Sequence, residues 1–181
     1  MDGAKALSKA LRRTFGVDIP IQRCQVHKAR NITDRLAPKH HAAVRRALKQ
    51  AWEMDDAEKA ERLIRNLARR FEQEAPDVSR SILEGLDEIL TVVRLGLPLE
   101  LRRSLASTNI IESMNSVIGQ VCRNVKRWRN AKMALRWTAA GMFEAKKGFR
   151  RLKTYKQLPI LKQALLDHRQ NGQLDQVKDA A

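Results

Sequence analysis

Aromatic side chains are scarce in this chain: Phe, Trp and Tyr make up 4% of its 181 residues. That shortage argues against a single-strand binder built on successive stacking platforms. No apolar run approaches the roughly 18 residues that a membrane span needs. Nor does a charged-then-apolar leader open the chain. The expectation is a cytoplasmic protein with no membrane partner. Cys24 and Cys122 are the two cysteines, far apart in sequence. Such a pair is no disulfide framework, and a cytosol keeps both thiols reduced. Glycine and proline are sparse, and no internal repeat or low-complexity tract is present.

What the chain has in excess is positive charge. Lys and Arg number 36 against 20 Asp and Glu, a formal net charge of +16. A domain this basic repels itself unless a polyanion neutralises it, and nucleic acid is the usual partner. The charge is also segregated. Residues 53–90 hold 11 of the acidic residues and six basic ones, whereas residues 118–156 hold 12 basic residues and one acid, Glu144. A uniform RNA-coating protein would be basic throughout, so the acidic middle speaks against a purely structural ribonucleoprotein component.

Apolar residues recur at helical spacing, and the fold is predicted to be mainly α. A first helix runs from about Ala4 to Phe15 and ends at Gly16. Ile19–Cys24 reads as a short strand, placed by Pro20 at an edge or at its own first residue. Helices follow over His41–Trp52, from Asp55 or Asp56 to Phe71, and from Pro76 to Val93, with the spacing of antiparallel neighbours joined by short turns. Asp2-Gly3, directly after Met1, looks like the turn leaving a strand, as though the chain were cut from something longer.

The segment Ser107–Val121 carries the chemistry. Ser107 or Thr108 caps a helix in which Ile110, Ile111, Met114, Val117, Ile118 and Val121 share one arc, at about 100° per residue. Glu112 lies on the opposite side with Asn115, Ser116, Gly119 and Arg123. A carboxylate among small polar residues leaves room for a hydrated cation or a backbone phosphate. The same Glu also fits as a solvated acid in a first helical turn, favoured there by the helix dipole. Pattern alone leaves both readings open.

Four motifs in order carry a resemblance. Asp2-Gly3 precedes a helix, and Gln22-Arg23-Cys24-Gln25-Val26-His27-Lys28-Ala29-Arg30-Asn31 follows the strand. Thr108-Asn109-Ile110-Ile111-Glu112-Ser113-Met114-Asn115 comes next, and then Arg127-Trp128-Arg129 through Arg136-Trp137. With Phe149–Lys153 and Leu158-Pro159, they resemble the Mutator-like family of bacterial insertion-sequence transposases from Asp2 to about Leu166. The resemblance implies the carboxy-terminal part of a ribonuclease-H-like catalytic domain with a helical insertion, retaining at most one or two short strands. It implies a remnant of the core at 1–24, the insertion at 25–98, and a Glu-bearing helix and basic helical region at 99–169; the polar tail at 170–181, which contains Gly172, is expected to fray.

The resemblance also implies the site. Asp2 matches the family's second catalytic Asp and Glu112 its catalytic Glu, both as metal ligands. The family's first Asp has no counterpart in this chain. Strand cleavage and joining are in-line phosphoryl transfers in which two Mg²⁺ (or Mn²⁺) ions roughly 3.5–4 Å apart flank the reacting phosphorus. Such ions take carboxylate oxygens. With two of three acids, the chain alone is expected to hold no metal tightly and to be inactive. DNA, as transposon ends and target, is the implied partner, and the full-length enzyme is implied to be a homo-oligomer. Arg123, Lys126, Arg127 and Arg129, directly after the Glu-bearing helix, are the candidate phosphate contacts, while Trp128 and Trp137 are read as packing residues. Cys24 and His27 have a Cys-x-x-His spacing, but a structural zinc needs four ligands, and the pair is read as a structural motif. The alternative is a non-catalytic helical DNA-binding module that regulates a full-length transposase.

Overall fold

Helical periodicity without a matching strand period leads to helices alone. The computed structural model describes residues 1–179, with side chains to Asn171, and contains no strand among the described residues. In chain order the helices are α1 (Lys5–Phe15), α2 (Gln25–Thr33), α3 (Pro38–Glu53), α4 (Ala57–Arg70), α5 (Pro76–Leu83), α6 (Leu86–Ile89), α7 (Thr91–Arg94), α8 (Leu99–Leu105), α9 (Asn109–Cys122), α10 (Ala131–Lys147) and α11 (Leu158–Asp179). A 3-10 turn, Tyr155–Gln157, precedes α11. The helices form two units: α9 and α10 make up residues 108–153, and the others belong to the remainder of the chain.

Local chemistry sets the helix starts. Pro38 and Pro76 occupy the first positions of α3 and α5, where a missing N–H costs nothing and φ is already helical. The Asp56 carboxylate accepts the Lys59 amide at 3.0 Å and caps α4. It satisfies one of the donors a helix start leaves over.

The core of the larger unit follows the apolar stripes. Val44 and Leu48 of α3, Ile64 and Leu67 of α4, and Val78 and Ile82 of α5 are buried with Ile32 of α2 and Leu86, Leu90 and Val93. Each full burial of such a side chain stabilises by about 1.5–3 kcal/mol. A second cluster of Val92, Leu97 and Leu101 is covered by Leu161 and Ala164 of α11. At the tail, residues 172–181 lie outside the residues whose side chains are described, and Ala180 and Ala181 outside the described backbone.

The strand expected at Ile19–Cys24 does not form. Among the described residues this segment makes one step of parallel-strand hydrogen bonding: the Met1 amino group donates to Gln22 O at 2.6 Å, and Cys24 N donates to Met1 O at 2.5 Å. The remaining groups find helical partners. Arg23 N donates to Glu88 O at 2.7 Å, the Thr91 hydroxyl donates to Ile21 O at 2.7 Å, and the Gln22 amide spans Ile89 O and Val92 N. A strand needs a ladder of neighbours; this segment is an extended strap held against α6 and α7.

Candidate functional site

Asp2 lies in the larger unit. Its carboxylate accepts the Ala4 amide at 3.0 Å, an Asx turn that leads into α1, and the residue is exposed. Gly3 follows with φ of 104°, a value open to glycine and little else. The reason is close by: a Cβ at Gly3 would strike the guanidinium of Arg23, and so would one at Gly85. Arg23 is buried between the two glycines, donates to Glu84 O at 3.2 Å and pairs with the Glu84 carboxylate at 3.5 Å.

The motif that begins at Gln22 continues into α2. Cys24 is buried at the start of α2, and His27 stands one turn on, half-buried. Among the described residues no three His, Cys, Asp or Glu side chains are grouped to hold a metal ion. Lys28, which the sequence did not single out, is 1% exposed and donates its ammonium to Ser81 O and Glu84 O, at the carboxy-terminal end of α5. Desolvation, reinforced by Arg23, lowers its pKa to about 8. A regular lysine spacing gives no sign of such burial. The one available cue was its place inside a motif.

Glu112 lies in the smaller unit, exposed, in the first turn of α9. Thr108 occupies the cap position, yet its hydroxyl does not cap the helix; it donates to the Glu112 carboxylate. Thr108 therefore orients the acid one turn away. The predicted apolar arc is divided. Met114, Val117, Ile118 and Val121 are half-buried, whereas Ile110 and Ile111 are exposed. α9 packs on α10 with Gly141 directly against Ile118. A Cβ there would lie 2.8 Å from the Ile118 Cα.

The basic residues follow α9. Arg123 ends the helix, and the loop to α10 carries Lys126, Arg127 and Arg129, all exposed. Asn130 closes the loop by accepting the Met133 amide at 2.9 Å, which fixes where α10 begins. Lys126, Arg127 and Arg129 line one cleft of about 890 Å³ together with Arg136 of α10, and no acid is in its lining. Arg123 is not part of that lining. Trp128 and Trp137, read from sequence as packing residues, also line it and are 46% and 36% exposed. Arg136 is the cation that the sequence reading missed. It lies on α10, beyond the loop, and only the return of that helix brings it to the cleft.

The arrangement has relatives. Residues 1–151 match the profile described as "Transposase, Mutator family". The transposase for insertion sequence element IS905 of Lactococcus lactis subsp. lactis is 27% identical over 117 residues, which cover 65% of this chain and 29% of that protein. The transposase for IS1201 of Lactobacillus helveticus is 28% identical over 117 residues, covering 65% and 31%. That for IS6120 of Mycolicibacterium smegmatis is 30% identical over 112 residues, covering 62% and 34%. The chain thus spans about a third of the length of these curated relatives. No solved structure matches it.

Proposed function

Because this chain belongs to the Mutator family of transposases, we propose that it serves transposition in two ways: it grips DNA backbone phosphates and it supplies two carboxylates, Asp2 and Glu112, to metal-dependent phosphoryl transfer. The observation that carries the grip is the acid-free cleft of Lys126, Arg127, Arg129 and Arg136 beyond the helix of Glu112. Cations unneutralised by neighbouring acids are available to phosphates, and each contact displaces a condensed counterion from the DNA. Arg123 extends the same cationic run along the chain.

The donor set fits the metal by type. Asp2 and Glu112 are exposed carboxylates, and Mg²⁺ or Mn²⁺ takes hard oxygen ligands from one or two carboxylates together with substrate phosphates. When bound, such ions neutralise the charge that develops in phosphoryl transfer. This chain's own contribution is positional. Thr108 holds one oxygen of Glu112, and the Ala4 amide holds one oxygen of Asp2. The ribonuclease-H-like core implied by the sequence motifs belongs to the same proposal.

Two carboxylates give at most one weak metal site, so the 181-residue chain by itself is expected to bind duplex DNA without cutting it. Mg²⁺ should strengthen that binding, and Glu112→Gln should remove the Mg²⁺-dependent increment while leaving the metal-free affinity unchanged. Titration of a terminal-repeat duplex with and without Mg²⁺ checks this. An increment that survives in Glu112→Gln removes Glu112 from the metal site and leaves the reading of a non-catalytic binding module. Strand-transfer activity of the purified chain would overturn the expectation of inactivity.

A further inference from the structure

The cleft beyond α9 holds more than cations. Trp128 and Trp137, two of the chain's three tryptophans, line it. The third, Trp52, packs against the core of the larger unit. A grip on duplex phosphates needs Lys and Arg; it has no use for indoles, because the faces of paired bases are covered by their own stacking neighbours. An exposed indole beside several cations and no acid suits a nucleotide whose base is unstacked, since every base offers a π-face and the charges take its phosphates. The volume, about 890 Å³, lies within the roughly 300–1,000 Å³ range of small-ligand sites.

We propose that the cleft of Trp128, Trp137, Lys126, Arg127, Arg129 and Arg136 binds an unpaired nucleotide, its base against an indole and its flanking phosphates on the cations. The scarcity of aromatics limits this to one or two bases and excludes a long stacking track. The cleft is set before any ligand arrives. The Asn130 cap starts α10 where Arg136 and Trp137 face the loop, and Val125 N donates to Cys122 O at 3.0 Å to turn the chain out of α9. The proposal rests on the reading that this cleft grips DNA, and it adds the form of DNA that the cleft selects.

The test uses the full 181-residue chain and three labelled probes: oligothymidylate, a strand of equal length made of abasic sugar-phosphate units, and a blunt duplex. Fluorescence anisotropy gives the affinities, and indole emission gives a stacking signature. Oligothymidylate should bind more tightly than the abasic strand of equal charge and should quench tryptophan emission. Trp128→Ala and Trp137→Ala should each weaken oligothymidylate binding by about 5- to 150-fold. Binding of the abasic strand should be unchanged, and Trp→Phe at either position should restore most of the loss. Trp128 is half exposed in a loop, so its variants keep their helical circular dichroism. Equal affinity for the base-bearing and abasic strands, or an unaltered preference in both alanine variants, overturns the proposal. If duplex and abasic strand bind well and bases add nothing, the phosphate grip stands and the nucleotide site falls. If none of the three probes binds, the grip falls too.

Discussion

Lys28 places an ammonium group among helix ends, where two of its donors meet the carbonyls of Ser81 and Glu84. The position has an electrostatic logic, since the carboxy-terminal end of a helix favours a cation. It still costs solvation, and burial lowers the pKa from 10.5 to about 8. A folded-state pKa below the unfolded value means that the unfolded chain holds more protons between pH 8 and 10.5, so stability rises with pH across that window. The span corresponds to as much as ~3 kcal/mol. Urea midpoints measured at intervals from neutral pH to about pH 10 should climb in the wild type relative to Lys28→Met. A difference that stays flat across the window would show that the ammonium is solvated. Arg23 and its two glycines make the same point sterically: the guanidinium fits because Gly3 and Gly85 present no Cβ to it.

At the level of elements, the α9–α10 hairpin depends on one residue that helix propensity disfavours. Gly141 sits inside α10, where glycine costs about 1 kcal/mol relative to alanine. Its value is the close approach to the backbone of Ile118. Gly141→Ala should gain propensity and still destabilise the hairpin by about 1–3 kcal/mol, because the added methyl meets a Cα that cannot swing aside. Amide exchange along α9 and α10 would show it as faster opening of these helices with the larger unit unaffected; slower exchange would mean that the helices are not in contact there. In the larger unit Arg102 of α8 acts as a cap from a distance, donating to Met54 O at 2.5 Å past the end of α3 and pairing with Asp55.

Across the whole chain, charge is sorted by use. Acids of the middle block are engaged with nearby cations: Glu61 takes Arg65 and Arg94, Glu53 takes Arg103, and Asp55 takes Arg102. Hydrogen bonds from Arg65 to Glu61 and from Arg103 to Glu53 hold both carboxyls below the usual carboxylate range. These cations are paired with acids, whereas the cleft that we propose grips DNA has no acid in its lining. The binding should therefore be strongly salt-dependent. If about six phosphates are neutralised, log K for a duplex should fall against log salt with a slope of roughly −5. Replacing Arg127 by Ala should reduce the slope by about one unit. A nearly flat salt plot would contradict a phosphate grip of any size.

The sequence alone determined the mainly helical class, a helix start at Asp55 or Asp56, the segregation of charge and the ordered motifs of a transposase family, because periodicity, capping and composition are properties of neighbouring residues; the single helix expected from Pro76 to Val93 is instead three, α5, α6 and α7. Charge composition named the basic loop, whereas pattern alone left Glu112 open and the family resemblance singled it out. Ile19–Cys24 shows the limit: its β-type sequence was legible, but whether it became a strand depended on partners elsewhere in the chain, and the partners turned out to be α6, α7 and a single residue. The burial of Lys28, the closeness of Gly141 to Ile118, the entry of Arg136 into the cleft and the exposure of Trp128 and Trp137 were likewise decided only by the tertiary structure. Each depends on what a distant segment brings within a few ångströms, and no local pattern encodes that distance.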